Sequence, residues 1–498
     1  MIALDLSLAN LYRQYYRCRK NKRNTINALR FEAQQEKNLI ALRDALINGS
    51  YQPRPSVCFF TTRPKLREIL AADFRDRVVH HLLVDHLEAM WEPVFIHDSY
   101  ACRPGKGVHK AVQRLQQFIR QVTANGVRTA WYLQLDIRNY FMSIDRDSLF
   151  AMLAPKLTDD KARWLTRMLV HHDVTANCRV RGRPDVLARI PKHKTLFGAA
   201  PNKGLPIGNL NSQFFANVYL NALDQFVKHQ LKCRHYLRYC DDFILLANDP
   251  QQLRHWRMRI EHYLAEHLAL ALNPKQRLAP LSNGINFLGY IVRRDYRLVR
   301  RRVVNNLNEK LRDYGSRLVI DYPGARCYRF DIPLLDALMA TLSSYLGHFK
   351  RANTWKLWQS LWAKHAFLAQ YFDFDAEQWK LMRNYLVPAG LRRVRQQYRY
   401  FRWRFPHDTL FFRVGRFFEC YDTGNTAQLA CLGLQKMRPN RRGARYGFPV
   451  RHFAQALSTV LGQGGTVLLI GEQNDGLGGI QKRVPLCRFV PLLQADMP

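Results

Sequence analysis

Residues Leu237 to Ala247 read LRYCDDFILLA, an adjacent acidic pair, Asp241-Asp242, set between two short apolar and aromatic runs. Asp favours turns and the flanking residues favour strands, so the stretch predicts a β-hairpin with two carboxylates at its tip. Carboxylates side by side in a turn suit a hard cation, because Mg²⁺ takes oxygen ligands. A solvated turn is the commoner fate of a lone Asp-Asp, so the reading depends on what the rest of the chain brings to the same place.

Upstream, Thr129 to Phe150 reads TAWYLQLDIRNYFMSIDRDSLF, an apolar run ending in Asp136 and followed by Tyr140-Phe141. A buried strand that delivers a carboxylate at its end can supply a third ligand. In two-metal chemistry one ion activates the attacking oxygen and the other stabilises the leaving one, the ions sitting roughly 3.5–4 Å apart. Asp145 and Asp147, on the next turn, read instead as caps of the helix that starts near Ser148.

With these residues in place the sequence resembles a reverse transcriptase. YCDD (239–242) resembles the Y-x-D-D box of that family, and LDIRNYFMSID the palm motif with its first metal-binding Asp. GLPIGNLNSQFFANVYLNALDQFVK (204–228) resembles the motif that lies against the templating base pair. LALNPKQ (270–276) and NFLGYIV (286–292) resemble the Lys-bearing palm motif and the primer-grip hairpin.

The resemblance implies an α+β right-hand polymerase. Its expected parts are a basic helical extension (1–55), fingers (56–130), palm (131–295, with a polar basic insertion near 160–203), a helical thumb (296–403) and a C-terminal domain (404–498). It implies two Mg²⁺ ions, with Mn²⁺ as a substitute, on Asp136, Asp241, Asp242 and the backbone carbonyl of Ile137. The primer 3′-hydroxyl then attacks the α-phosphate of a dNTP, with Lys275 placed to donate a proton to the leaving pyrophosphate. Lys65 and Arg67, with Arg75 behind them, would hold the triphosphate, since Lys and Arg aim donors at phosphate oxygens. Phe141 falls where the family places a bulky group under the sugar, where a flat ring would clash with a 2′-hydroxyl; Tyr140 reads as core. Ile207 and Gly208 would border the nucleotide, while Ser212, Gln213, Tyr239, Leu288 and Gly289 would touch template or primer.

The subtype is read from LPIG, where Ile207 stands in place of the Gln most members carry, followed by G-x-x-x-S-Q. This form resembles the reverse transcriptases of diversity-generating retroelements, which implies copying with frequent errors opposite adenine. A branched alkyl group in place of a hydrogen-bonding amide would weaken geometric checking of the nascent pair.

Composition points the same way. The 498 residues hold 77 Lys+Arg against 39 Asp+Glu, a formal net charge of +38. So large a charge needs a polyanion, and with no long apolar span or amphipathic basic anchor a membrane surface is set aside in favour of nucleic acid. The expected partners are a template RNA, the cDNA/RNA duplex and dNTPs, joined by an accessory protein or noncoding RNA encoded nearby. The opening MIALDLSLANLYRQ lacks a basic region before an apolar core, and the ten Cys are scattered without C-x-x-C pairs. Both suggest a cytoplasmic protein with reduced thiols, and the resemblance implies a bacterial or phage origin.

Other stretches add detail. RPGKG (103–107) before a helix exposes N–H groups to an anion but is no Walker loop. His80-His81 read as helix packing, and His171, His172 and His193 lack zinc spacing. The insertion reads as a loop that touches nucleic acid, and Trp355, Trp358 and Trp362 as core. From Phe405 the sequence resembles the N-terminal mismatch-recognition domain of the mismatch-repair protein MutS, through RVGRFFECYD, GFPVRHFAQALSTVLGQG and TVLLIGEQ. That likeness implies a small α/β domain with Phe417 as a base wedge and Glu419 as its hydrogen-bonding companion. Arg416 stands where that family has Asp, and the clamp and ATPase domains are missing. No RNase H, HNH or integrase pattern is visible. The rival readings are an antiphage-defence or group II intron-derived reverse transcriptase, and an RNA-binding scaffold with a dormant site.

Overall fold

A four-stranded antiparallel sheet carries the residues singled out above, its strands running Tyr236–Tyr239, Asp242–Ala247, Trp131–Asp136 and Arg277–Pro280 from edge to edge. This is a computed structural model, and it describes residues 3–20, 25–62, 66–182, 185, 189–388, 390–421, 432, 435–440, 443–473 and 482–492. Lys65 lies outside the described residues. Phe243 to Leu246 are all buried, so this strand is covered on both faces and reads as a continuous apolar run. Phe243 and Leu245 join Leu133 and Leu135 in the main core, together with Leu253, Ile260 and Leu264 of the helix Pro250–Leu268. That helix starts on Asp249, whose carboxylate accepts from the backbone N–H of Gln251 and Gln252 at 2.8 and 3.2 Å, with Pro250 in the first turn.

The chain divides into two compact units, residues 1–288 with 292–295, and residues 289–291 with 296–498. In the first, the N-terminal stretch expected as a helical extension forms three helices, Leu8–Arg19, Ile26–Glu32 and Gln35–Ile47. The last ends at Asn48 and Gly49, the glycine at φ 70°. Their apolar faces join the main core, Tyr15 stacking on Phe31 with centroids 5.8 Å apart.

The insertion near 160–203 departs from the expected loop. It opens with a twelve-residue helix, Asp160–His171, capped by Asp159 and burying Ala162, Leu165 and Leu169. Lys161, Arg163 and Arg167 dilute the apolar signal there, but burial of a narrow stripe suffices when a core waits for it. The insertion then adds the strand Cys178–Val180 parallel to Ser56–Thr61, whose other neighbour is Arg67–Ala71.

In the second unit the region expected as a helical thumb holds the helices Arg301–Leu318, Ile332–Phe349, Trp355–Lys364 and Val394–Arg404, and two hairpins besides. Trp358 is buried and packs with Trp362 around Phe374, whereas Trp355 is half-exposed. The hairpin Val319–Tyr322/Ala325–Arg329 belongs to an eight-stranded sheet that continues through Lys482–Pro491, Thr466–Gln473, Asp408–Val414, Phe417–Cys420, Gly443–Pro449 and Gln435–Asn440. The C-terminal stretch therefore shares its sheet with the segment before it. The chain is thus a mixed α+β protein, and no helix among the described residues is long and apolar enough to cross a membrane.

Candidate functional site

The hairpin predicted from LRYCDDFILLA forms with Tyr239 paired to Asp242 and a two-residue loop, Cys240-Asp241. Cys240 takes φ 57°, a left-handed conformation that a non-glycine residue adopts only when its surroundings hold it there. The next strand pairs in a register that sets Asp136 opposite Asp242. Directly paired residues lie within about 4.5–5.5 Å across a ladder, so the two carboxylates start from neighbouring Cα atoms, with Asp241 one residue away in the loop.

What holds the loop is a buried network invisible to motif reading. Arg238, 0 % exposed, clamps Asp224 through Nε at 2.8 and 3.0 Å and Nη2 at 2.6 Å. Its remaining Nη1 donates to the Asn217 side chain at 3.2 Å and to the backbone carbonyl of Cys240 at 3.0 Å. Tyr236 donates its hydroxyl to the same Asp224 at 2.8 Å. A planar fork with several donors can brace a helix, Leu210–Gln225, and a turn at once. The sequence signal was a charged residue between Leu237 and Tyr239 in a strand that is otherwise apolar.

The carboxylates themselves are held by amides. Gln134, two residues before Asp136 on its strand, donates to both oxygens of Asp242 at 3.0 and 3.2 Å. Asn273 donates its side-chain amide to Asp136 at 3.1 Å and its backbone N–H to the Asp136 carbonyl at 2.7 Å. Among the described residues no three His, Cys, Asp or Glu side chains converge closely enough to hold a metal ion. Like charges repel, and each of these two Asp is drawn toward a neutral donor. The donor set is nevertheless all hard oxygen, which fits Mg²⁺. Ile137 bridges Leu272, the bonds of that bridge coming from the Arg138 and Asn273 N–H groups.

Burial raises the Asp241 carboxyl above its ordinary value, against the opposing pull of the Arg67 and Arg238 cations. Arg67, exposed at the start of its strand, is therefore within electrostatic reach of the loop. Arg75 is turned elsewhere: it donates to the Gln52 carbonyl at 3.1 Å and covers the Tyr51 ring at 4.9 Å, a brace at the foot of the helix Phe74–Trp91. Phe141 follows Asn139, at φ 48°, in the short helix Tyr140–Ser143 and is partly buried, whereas Tyr140 is in the core. Lys275 is exposed two residues beyond Asn273.

Ile207 accepts at its carbonyl from the Leu70 N–H at 2.9 Å, tying the 204–228 segment to the strand Arg67–Ala71. Gly208 sits at φ 121°, and a Cβ there would come within 2.7 Å of Ile69 Cγ2. Helical spacing then sends Ser212 inward at 1 % exposed and Gln213 outward, so Ser212 cannot touch a template as expected and only Gln213 is available. Tyr239 is half-buried, and Leu288 and Gly289 form a left-handed pair at φ 47° and 89°. In the RPGKG turn Arg103 is spent on Glu92 and Lys106 on the His97 carbonyl. His80 is buried as helix packing, and burial lowers its pKa to about 3.

In the second unit Phe417 is 37 % exposed while Glu419 is 4 % exposed and takes the Tyr421 hydroxyl. The pair expected to read one base together is thus divided between surface and interior.

The site is thus a carboxylate-bearing hairpin on an antiparallel sheet, with the Arg67 cation, from a strand of another sheet, within electrostatic reach of it. Residues 61–292 match the family described as reverse transcriptase (RNA-dependent DNA polymerase), so the chain carries a reverse transcriptase domain. It is similar to protein YkfC of Escherichia coli K12, 27% identical over 330 residues that cover 59% of this chain and 81% of that one. It is also similar to the group II intron-encoded protein LtrA of Lactococcus lactis subsp. cremoris, 24% identical over 252 residues, 49% of this chain and 38% of that one. Nuclear intron maturase 1, mitochondrial, of Arabidopsis thaliana is 24% identical over 218 residues, 36% of this chain and 29% of that one.

Proposed function

We propose that the chain is an RNA-directed DNA polymerase that makes cDNA from a structured template RNA, copies with frequent errors and serves a diversity-generating retroelement. One observation carries the polymerase reading: within the stretch that matches the reverse transcriptase family, Asp136 is paired in register with Asp242, and Asp241 occupies the adjoining loop. Asp136, Asp241, Asp242 and the Ile137 carbonyl would hold two Mg²⁺ ions, which when bound supply positive charge for the attacking and leaving oxygens. Arg67 orients the triphosphate against the hairpin, Phe141 rejects the 2′-hydroxyl, and Arg238 keeps the Asp241 loop in its left-handed shape. Ile207, its carbonyl fastened to the fingers strand, supports the error-prone reading, and the MutS-like C-terminal sequence supports a link to mispaired bases.

A second reading, a group II intron-derived polymerase, is favoured by the similarity to LtrA. Sequencing the cDNA that the purified protein makes with Mg²⁺, dNTPs and the RNA transcribed beside its gene separates the two. Substitutions concentrated opposite template adenine, absent with the Asp241→Ala, Asp242→Ala double variant, establish both polymerase and diversifier. Faithful product moves the chain to the second reading. Tight RNA binding without product defeats the polymerase.

A further inference from the structure

The helix Val394–Arg404, in the second unit, has the sequence VRQQYRYFRWR, with no acidic residue. Its inner face is buried through Gln397, Tyr398 and Phe401. Arg395, Arg399, Arg402 and Trp403 follow one another at i, i+4, i+7 and i+8, which gathers them on one side of a helix. They line a cleft of about 570 Å³ with Tyr398 and Tyr421, and among the described residues no carboxylate lines it. The volume falls within the roughly 300–1,000 Å³ of ligand sites. Trp403 is 73 % exposed, and an indole left in water forgoes the burial that would stabilise it. Two of the guanidiniums are already placed: Arg395 lies 5.2 Å from the Tyr421 ring centroid, and Arg402 donates to the Asp408 carbonyl at 2.8 Å. Arg399 is exposed on the same side.

We propose that this cleft binds an unpaired nucleotide of single-stranded nucleic acid, its base stacked on Trp403 and its phosphates met by Arg395, Arg399 and Arg402. An exposed aromatic ring beside a row of forked cations is the combination that holds single strands without reading their sequence, since every base offers a π-face and every link a phosphate. A base stacks on one face of the indole, while cations one, four and eight residues away on the same side reach the flanking backbone. The site lies outside residues 61–292, so it holds a strand beyond the reverse transcriptase domain.

The test uses the full-length protein and a short oligoribonucleotide carrying 5-iodouridine, crosslinked by light and mapped by mass spectrometry. Competitors are unlabelled RNA, DNA of the same sequence, and the pre-annealed duplex. The expected result is an adduct within residues 394–404 that either single strand suppresses and the duplex does not, the stronger single strand telling which nucleic acid fills the cleft. Trp403→Ala removes the adduct and weakens binding at that site about tenfold, whereas Trp403→Phe keeps both. Because the ring is exposed, thermal unfolding of Trp403→Ala should match the parent, which separates lost contact from lost fold. Arg399→Gln lowers the salt dependence of binding by about one in log–log slope. An adduct and affinity unchanged in Trp403→Ala, or a duplex that competes as well as a single strand, overturns the proposal, the former leaving the face to a protein partner.

Discussion

Asp224 and Asp76 are both buried carboxylates of the first unit, 0 % and 1 % exposed, yet they are held by different partners. Asp224 is clamped by the Nε–Nη2 edge of the Arg238 guanidinium and by Tyr236. Asp76, near the foot of the helix Phe74–Trp91, accepts from the Tyr51 hydroxyl at 2.9 Å and the Arg54 N–H at 2.8 Å, while its nearest cation, Arg75, stands off at 3.7 Å. Burial prevails there and pushes the Asp76 carboxyl up to about 6. Hydrogen bonds alone leave a buried carboxylate ready to take a proton. The clamped carboxylate belongs to the network under the Cys240-Asp241 loop, where its ion pair with Arg238 braces a left-handed turn.

The comparison breaks most visibly if the clamp is opened. Asp224→Ala strands the Arg238 charge in the interior and should cost about 3–5 kcal/mol in urea unfolding. The apolar double variant Asp224→Leu, Arg238→Met should regain much of that stability while cDNA synthesis stays low, because the Cys240 carbonyl has lost its donor. A pure stability effect would restore both together.

At Asp76 the effect is set by pH. Its folded pKa of about 6 lies above the ordinary 3.8, so the folded chain binds the proton more tightly than the unfolded one. Stability from this group is present below about pH 4 and is lost as pH rises through 6, up to about 3 kcal/mol. Asp76→Asn should flatten that fall in a pH series of unfolding midpoints.

The smallest effect concerns the amide that steadies Asp242. If Asp242 holds Mg²⁺ as proposed, Gln134→Ala should lower primer extension about 10–100-fold, the usual consequence of removing a support behind a metal ligand, with unfolding little changed. Equal losses of activity and stability would show that Gln134 acts only in packing.

Much of the first unit was legible because its signals are local. A hairpin announces itself through Asp between apolar runs, and a strand ending in Asp136 through its β-formers. The register that sets Asp136 against Asp242 was not, since nothing local specifies which strand lies alongside. Arg238 and Asp224 are fourteen residues apart in different elements, and their pairing exists only once the helix Leu210–Gln225 packs under the hairpin. Ser212 was misjudged because a motif gives residue order, whereas the helical turn decides which side chain faces inward. The helix Asp160–His171 was hidden by its own Arg and Lys, whose charge masks a narrow apolar stripe.

The pairing of Ala325–Arg329 with Lys482–Pro491 carries a practical consequence for anyone dividing this molecule. The two strands are about 150 residues apart in sequence, and a chain stopped at residue 404 would leave one side of Ala325–Arg329 with its backbone donors and acceptors open. An uncovered ladder recruits whatever strand it meets, from another copy or from a misfolded neighbour. The tail is a seam in the second unit, and unpicking it invites self-association before it reveals what the remaining part can do.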